Sequence, residues 1–107
     1  MAIKRIWHGW TTPEKAGAYE EVLNSHVLPS IEAQRIPGYR GIEVLRREHP
    51  EEVEFMTIMT FDSLQSVIDF QGADYERCYV PEAAQAVLAR WDQTSAHFEV
   101  REERTYD

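Results

Sequence analysis

Residues 6–13 read Ile-Trp-His-Gly-Trp-Thr-Thr-Pro, so a single imidazole, His8, lies between two indoles, Trp7 and Trp10. A free imidazole titrates near about 6.5, which makes His8 a candidate general base near neutral pH, and indole walls suit a flat aromatic ligand. Side chains alternate along an extended segment, so Trp10 shares a face with His8. Trp7 then points the other way, into the core or a subunit interface. The competing account is a histidine held by a neighbouring strand or helix with no chemical role. His97 is a second imidazole. Tyr75 and Tyr79 sit in an irregular stretch beside Cys78, where phenols can hydrogen-bond a ligand, although simple loop packing is the plainer account of them. Cys78 follows Arg77 but has no adjacent histidine, which leaves nucleophilic catalysis unsupported.

A metal centre would have to recruit Glu99 or Glu43, since no H-x-x-E or C-x-x-C spacing occurs. The expectation is no metal and no cofactor. Arg40, Arg46 and Arg47 could hold an acidic ligand, but the acidic segment over residues 48–54 offers them ordinary ion-pair partners.

The elements that position these groups follow from periodicity. Residues 3–10 mix β-branched and aromatic types and read as a strand. Thr12 is placed to cap a helix, with Pro13 at its first position and Glu14 facing the positive helix end. Ala16, Tyr19, Leu23, Val27 and Ile31 recur at helical spacing along one buried face. Pro29 predicts a kink, and Pro37-Gly38 the end. Residues 39–48 and 53–61 read as a hairpin around a polar turn at 49–52.

The second arm of that hairpin is apolar on both faces, with Val53, Phe55, Met59 and Phe61 on one and Met56 and Ile58 on the other. The helices of one chain cover only one side of a sheet, so the other needs an outside cover, and a homodimer supplies it symmetrically. Asp62 or Ser63 can cap a helix over 64–70 that Gly72 ends. Pro81 opens a helix reaching Trp91 with Ala84, Val87 and Leu88 inward, and residues 95–103 form the last strand. That strand should lie beside the first. Setting Ile6 against Phe98 pairs Arg5 with Glu99 and puts His8 and His97 on opposite faces, which disfavours a two-histidine site.

The chain reads as one domain over 1–107 with a single core. Its net charge of −8 disfavours nucleic acid and anionic membranes as partners. One cysteine excludes an internal disulfide, residues 1–5 lack a signal-peptide core, and no apolar run approaches the ~20 residues of a membrane span, so a cytoplasmic location is expected.

With this β-α-β-β-α-β order, the chain resembles the antibiotic biosynthesis monooxygenase family. The likeness rests on the first strand with its Thr-Thr-Pro-Glu helix start, Ile36-Pro37-Gly38-Tyr39-Arg40-Gly41, the strand from Phe55 to Phe61 followed by Asp62-Ser63, and the closing His97-Phe98-Glu99-Val100. The resemblance implies an α+β, ferredoxin-like βαββαβ subunit with a four-stranded antiparallel sheet, paired into a dimeric α/β barrel. It implies cofactor-independent oxygenation of a small aromatic or quinol-like substrate in a pocket between sheet and helices, with His8 taking a proton and Trp10 and Tyr75 positioning the ring. A non-catalytic, small-molecule-binding or stress-related homodimer is the alternative. The family's haem-degrading branch is similar to a pattern of Asn on the first strand, Trp on the third and His on a later helix. This sequence departs at all three, since Asn24 is its only asparagine, the third strand lacks tryptophan, and residues 64–91 lack histidine.

Overall fold

The computed structural model describes all 107 residues. Strand β1, Ile3–Thr11, lies at the centre of an antiparallel sheet and pairs along its whole length with β3, Val53–Phe61, which pairs in turn with β2, Tyr39–Glu48. The hairpin therefore forms where alternation and the polar turn place it. A bulge between Tyr39 and Gly41 bends the start of β2, just after Gly38, whose φ of +83° suits glycine.

The other edge of β1 is built from two pieces. β4, Arg90–Trp91, pairs with Gly9 and Trp10, and β5, Ala96–Glu99, pairs with residues 3–6. Together they occupy the fourth strand position of the ferredoxin-like order, so five strands fill four places. Two expectations are corrected here. Trp91 is not the last inward residue of a long helix, because α4 is only Glu82–Gln85; a turn closed by Leu88 N–H to Ala84 O at 3.0 Å follows it, and Ala89 N–H then donates to Trp10 O at 2.7 Å. The final strand is four residues long, and its register sets Lys4 against Phe98 and Arg5 against His97. The expected Arg5–Glu99 pair does not form. A two-residue slip preserves the side-chain faces, so His8 and His97 still point to opposite sides.

The first helical segment begins as a 3-10 turn at Pro13–Lys15, continues as α1, Ala16–Val22, and widens into a π turn over Leu23–Val27 before α2, Leu28–Ala33. Thr12 is extended as a cap should be, but its side chain makes no capping hydrogen bond. In place of a simple kink at Pro29 the wide turn precedes it: Leu28 N–H reaches back five residues to Leu23 O, and proline has no N–H to give Ser25 O. α3, Leu64–Gln71, is capped by Ser63, which accepts from Ser66 N at 3.3 Å, and stops at Gly72.

All helices lie on one side of the sheet. Ala16, Tyr19 and Leu23 pack with Val53, Phe55, Ala84 and Leu88 in one cluster, and Ile3, Met59, Phe61 and Val67 form a second. The opposite face carries Ile6, Met56 and Ile58, half-buried, and Leu45 and Phe98, 43% and 56% exposed.

Candidate functional site

Strand alternation divides the chemistry between the two faces. On the open face His8 stacks on Trp10, ring centroids 5.8 Å apart and 16° from parallel, as the i, i+2 spacing requires. Asp92, in the bend between β4 and β5, organises this end of the sheet. Its carboxylate accepts from His8 N at 2.9 Å and faces His8 Nδ1 at 3.0 Å, while its own N–H donates to His8 O at 2.9 Å. A carboxylate only accepts, so His8 carries its proton on Nδ1. Its Nε2 lies 3.8 Å from Glu54, which accepts from His49 at 2.8 Å, and that hydrogen bond holds the Glu54 carboxyl below the usual carboxylate range. Arg90 lies 3.8 Å above the Trp10 ring and donates to Glu52 at 2.8 Å.

On the helix side the sheet and helices leave a cavity of about 100 Å³. Thirteen of its 18 lining residues are hydrophobic, so the wall is apolar with a few polar points. Trp7 of β1, Phe70 of α3 and Val27 and Ile31 of the first helical segment supply much of the wall. The polar points are Arg5, Thr57, Gln71 and Ser95, to which the Cys78 thiol and the Tyr79 phenol add polar atoms. Cys78 N–H donates to Gln93 O at 3.2 Å and Ser95 N–H to Glu76 O at 2.7 Å, which ties the irregular stretch before α4 to the start of β5 and closes one side. Burial pushes the Cys78 thiol up, with a Ser95 hydrogen bond at 2.9 Å and Arg5 opposing, so it stays a neutral thiol near pH 7. Tyr19, buried edge-on against Phe55, also has its phenol pushed up by burial.

Arg5 is the unusual member. It is 5% exposed, with Nη1 donating to Tyr75 O at 2.6 Å and to His97 Nε2 at 2.9 Å, and Nη2 reaching Arg77 O at 3.5 Å. Burial and the neighbouring guanidinium both hold His97 below its usual value, so His97 is a neutral acceptor whose proton resides on Nδ1. That Nδ1 is buried without a partner.

The sequence-derived candidates therefore fall into two groups. His8 and Trp10 share one site on the open face and do not line the cavity. Tyr75 packs its ring edge-on against His97, 5.2 Å between centroids, and meets Arg5 through its backbone oxygen, while Tyr79 stands 77% exposed at the cavity rim. The expected pocket between sheet and helices exists, but the imidazole and indole meant for it are on the other side of the sheet. Arg5, Asp92 and Glu54 were missed. Arg5 shares odd-numbered alternation with Ile3 and Trp7, so an inward cation was legible in the sequence. Asp92 was not, because it depends on where α4 ends. Of the ion pairs expected with the 48–54 segment only Arg46–Glu48 forms; Arg46 also pairs with Glu20, and Arg40 pairs with Asp62 instead.

No family model matches the chain, and no curated protein matches it in sequence. Solved structures do. A candidate antibiotic biosynthesis monooxygenase from Bacillus cereus superposes with a TM-score of 0.68 at 10% identity, covering 98% of both chains. SnoaB, a cofactor-independent oxygenase from Streptomyces nogalater, matches at 0.58 and 14% over 95% of both. A point mutant of MhuD with two manganese protoporphyrin IX molecules per active site matches at 0.60 and 19%, covering 99% of this chain and 100% of that one. The resemblance read from the sequence thus holds at the level of the fold. A porphyrin does not suit the cavity found here, which is about 100 Å³ and has no histidine in its lining.

Proposed function

We propose that this chain forms a homodimer, open face to open face, and that each subunit binds a small aromatic or quinol-like molecule in the cavity under its helices and oxygenates it with O₂. The observation that carries this reading is the cavity itself, apolar, walled by Trp7 and Phe70 and edged by a few hydrogen-bonding groups, as small-molecule sites are. Its likeness in fold to a cofactor-independent oxygenase supports the reaction class. In such a reaction an activated C–H of the substrate gives its proton to water before the ring is enclosed, the resulting carbanion passes electrons to O₂, and the peroxide formed at that carbon takes a proton back to become a hydroperoxide. Loss of water then leaves a carbonyl, so one oxygen atom ends in the product and the other in water. The cavity's part is to exclude bulk water and hold the ring flat against the Trp7 side.

His8 was the expected base, and its position ties that role to a ligand on the open face. The test separates the two sites. With a panel of one-ring hydroquinones, sized to the cavity of about 100 Å³, oxygen uptake should match carbonyl formed, and isotopically labelled O₂ should enter the product. Val27→Trp, which fills the cavity, should abolish turnover, whereas His8→Ala should keep it. The reverse pattern moves the chemistry to the open face, and no uptake above buffer with any substrate removes the oxygenase assignment.

One observation favours a second reading: the cavity lining holds no carboxylate and no imidazole to take a proton. A non-catalytic binding protein has no need of one. Saturable binding of the same panel without oxygen uptake would select this reading.

A further inference from the structure

Arg5 is a buried cation for which the chain provides no counter-charge. Every ion pair in the molecule lies elsewhere, and the three acceptors on Arg5 are two backbone carbonyls and a neutral imidazole. Cys78, the titratable neighbour that favours its charge, is a protonated thiol. A guanidinium does not relieve this by losing its proton, as other buried bases do. Taking an unpaired ion out of water costs several kcal/mol even after relaxation, so such groups are found paired or in binding sites. A second copy docked on the open face does not supply the missing charge, since Arg5 points to the helix side with Trp7.

Geometry narrows what does. Arg5 borders the cavity, and of its five N–H groups three are engaged, one of them weakly at 3.5 Å. Two remain for an incoming acceptor, which suits the two oxygens of a carboxylate. The volume of about 100 Å³ is of the order of the ~150 Å³ apolar cavity that accepts benzene, so it suits a single ring. Phe70, 5.7 Å from the Arg5 guanidinium, and Trp7 provide apolar surface next to the charge.

We infer that the cavity binds a one-ring aromatic carboxylate, with its carboxylate on Arg5 and its ring among Trp7, Phe70 and the helix side chains. This rests on the cavity being the ligand site and specifies the chemical class of what enters it. It is independent of whether O₂ is consumed.

The experiment compares benzoate with benzamide, which has the same shape and no charge, by calorimetric titration of the intact protein. Benzoate should bind saturably and benzamide at least roughly 30-fold more weakly, the factor matching ~2 kcal/mol for a desolvated charge contact. Arg5→Met should lose that preference while still unfolding cooperatively. Should Arg5→Met fail to fold, Arg5→Lys decides, and it should favour benzoate over benzamide by a smaller factor because lysine offers a point charge in place of a fork. Equal binding of the two ligands, benzoate binding unchanged in Arg5→Met, or no saturable benzoate binding each overturns the inference. Oxygen uptake assays fail or succeed separately, so the oxygenase reading and this one are told apart.

Discussion

At the scale of single residues, the chemistry of this molecule depends on which groups are left short of a partner. His97 accepts from Arg5 through Nε2 and leaves Nδ1 buried alone, so a second proton on the ring would add charge beside a cation. Burial is the larger cause of its lowered proton affinity, Arg5 the smaller, and Glu76 opposes both. The unfolded chain binds that proton near about 6.5, the folded chain only at lower pH, so this contribution to stability is complete above about 6.5 and is lost as pH falls through the folded value. The melting temperature should therefore decline between about pH 7 and pH 5 more steeply in the native protein than in His97→Gln. Equal slopes would remove His97 from the acid response. The pairing of His8 with Trp10 was legible because alternation needs only two residues of context. The partnership of Arg5 with His97 was not, since it depends on a strand register that propensity does not fix.

At the scale of elements, β1 does the positioning. It gives Trp7 to the cavity and His8 to the open face, and Gly9, the next residue along, leaves room for the Trp7 ring and Leu88. A methyl at Gly9 would come within 2.7 Å of the Trp7 ring and 3.0 Å of Leu88. Gly9→Ala should cost about 1–3 kcal/mol in thermal or denaturant unfolding, the usual range for overpacking. A variant as stable as the parent would show that the indole has room to shift. Strands β2 and β3 were readable to the residue because Pro37-Gly38, the polar turn at 49–52 and Asp62-Ser63 bracket them. The α4 region misleads for a physical reason. Ala84, Val87, Leu88 and Trp91 keep helical spacing, yet residues 89–92 do better by giving Ala89 and Asp92 N–H groups to the exposed edge of β1. Unpaired carbonyls on a strand outweigh local propensity.

At the scale of the whole molecule, a sheet covered on one side leaves Ile6, Met56, Ile58, Leu45 and Phe98 against solvent. Lys4, Arg47 and Arg90 stand on that face with Glu43 and Glu54, so a copy turned by a two-fold axis can meet cation with anion around an apolar centre. Sedimentation should give twice the 12.5 kDa chain mass, and Ile58→Glu should halve it while the cavity still binds its ligand. A native protein sedimenting at 12.5 kDa would exclude the dimer. This face was foreseen from β3 alone, because two apolar faces on one antiparallel strand require two covers.

The borders of the sheet bear on how the molecule behaves when crowded. β2 is a free border ten residues long, but it is bent by a bulge and carries Arg40, Glu43, Arg46, Arg47 and Glu48. The opposite border is cut into lengths of two and four residues. Neither offers a long, flat, uncharged row of backbone groups on which another chain could template itself. Growth strand by strand into a filament is thereby blocked at both ends, and any assembly of these subunits is steered toward a closed, finite particle.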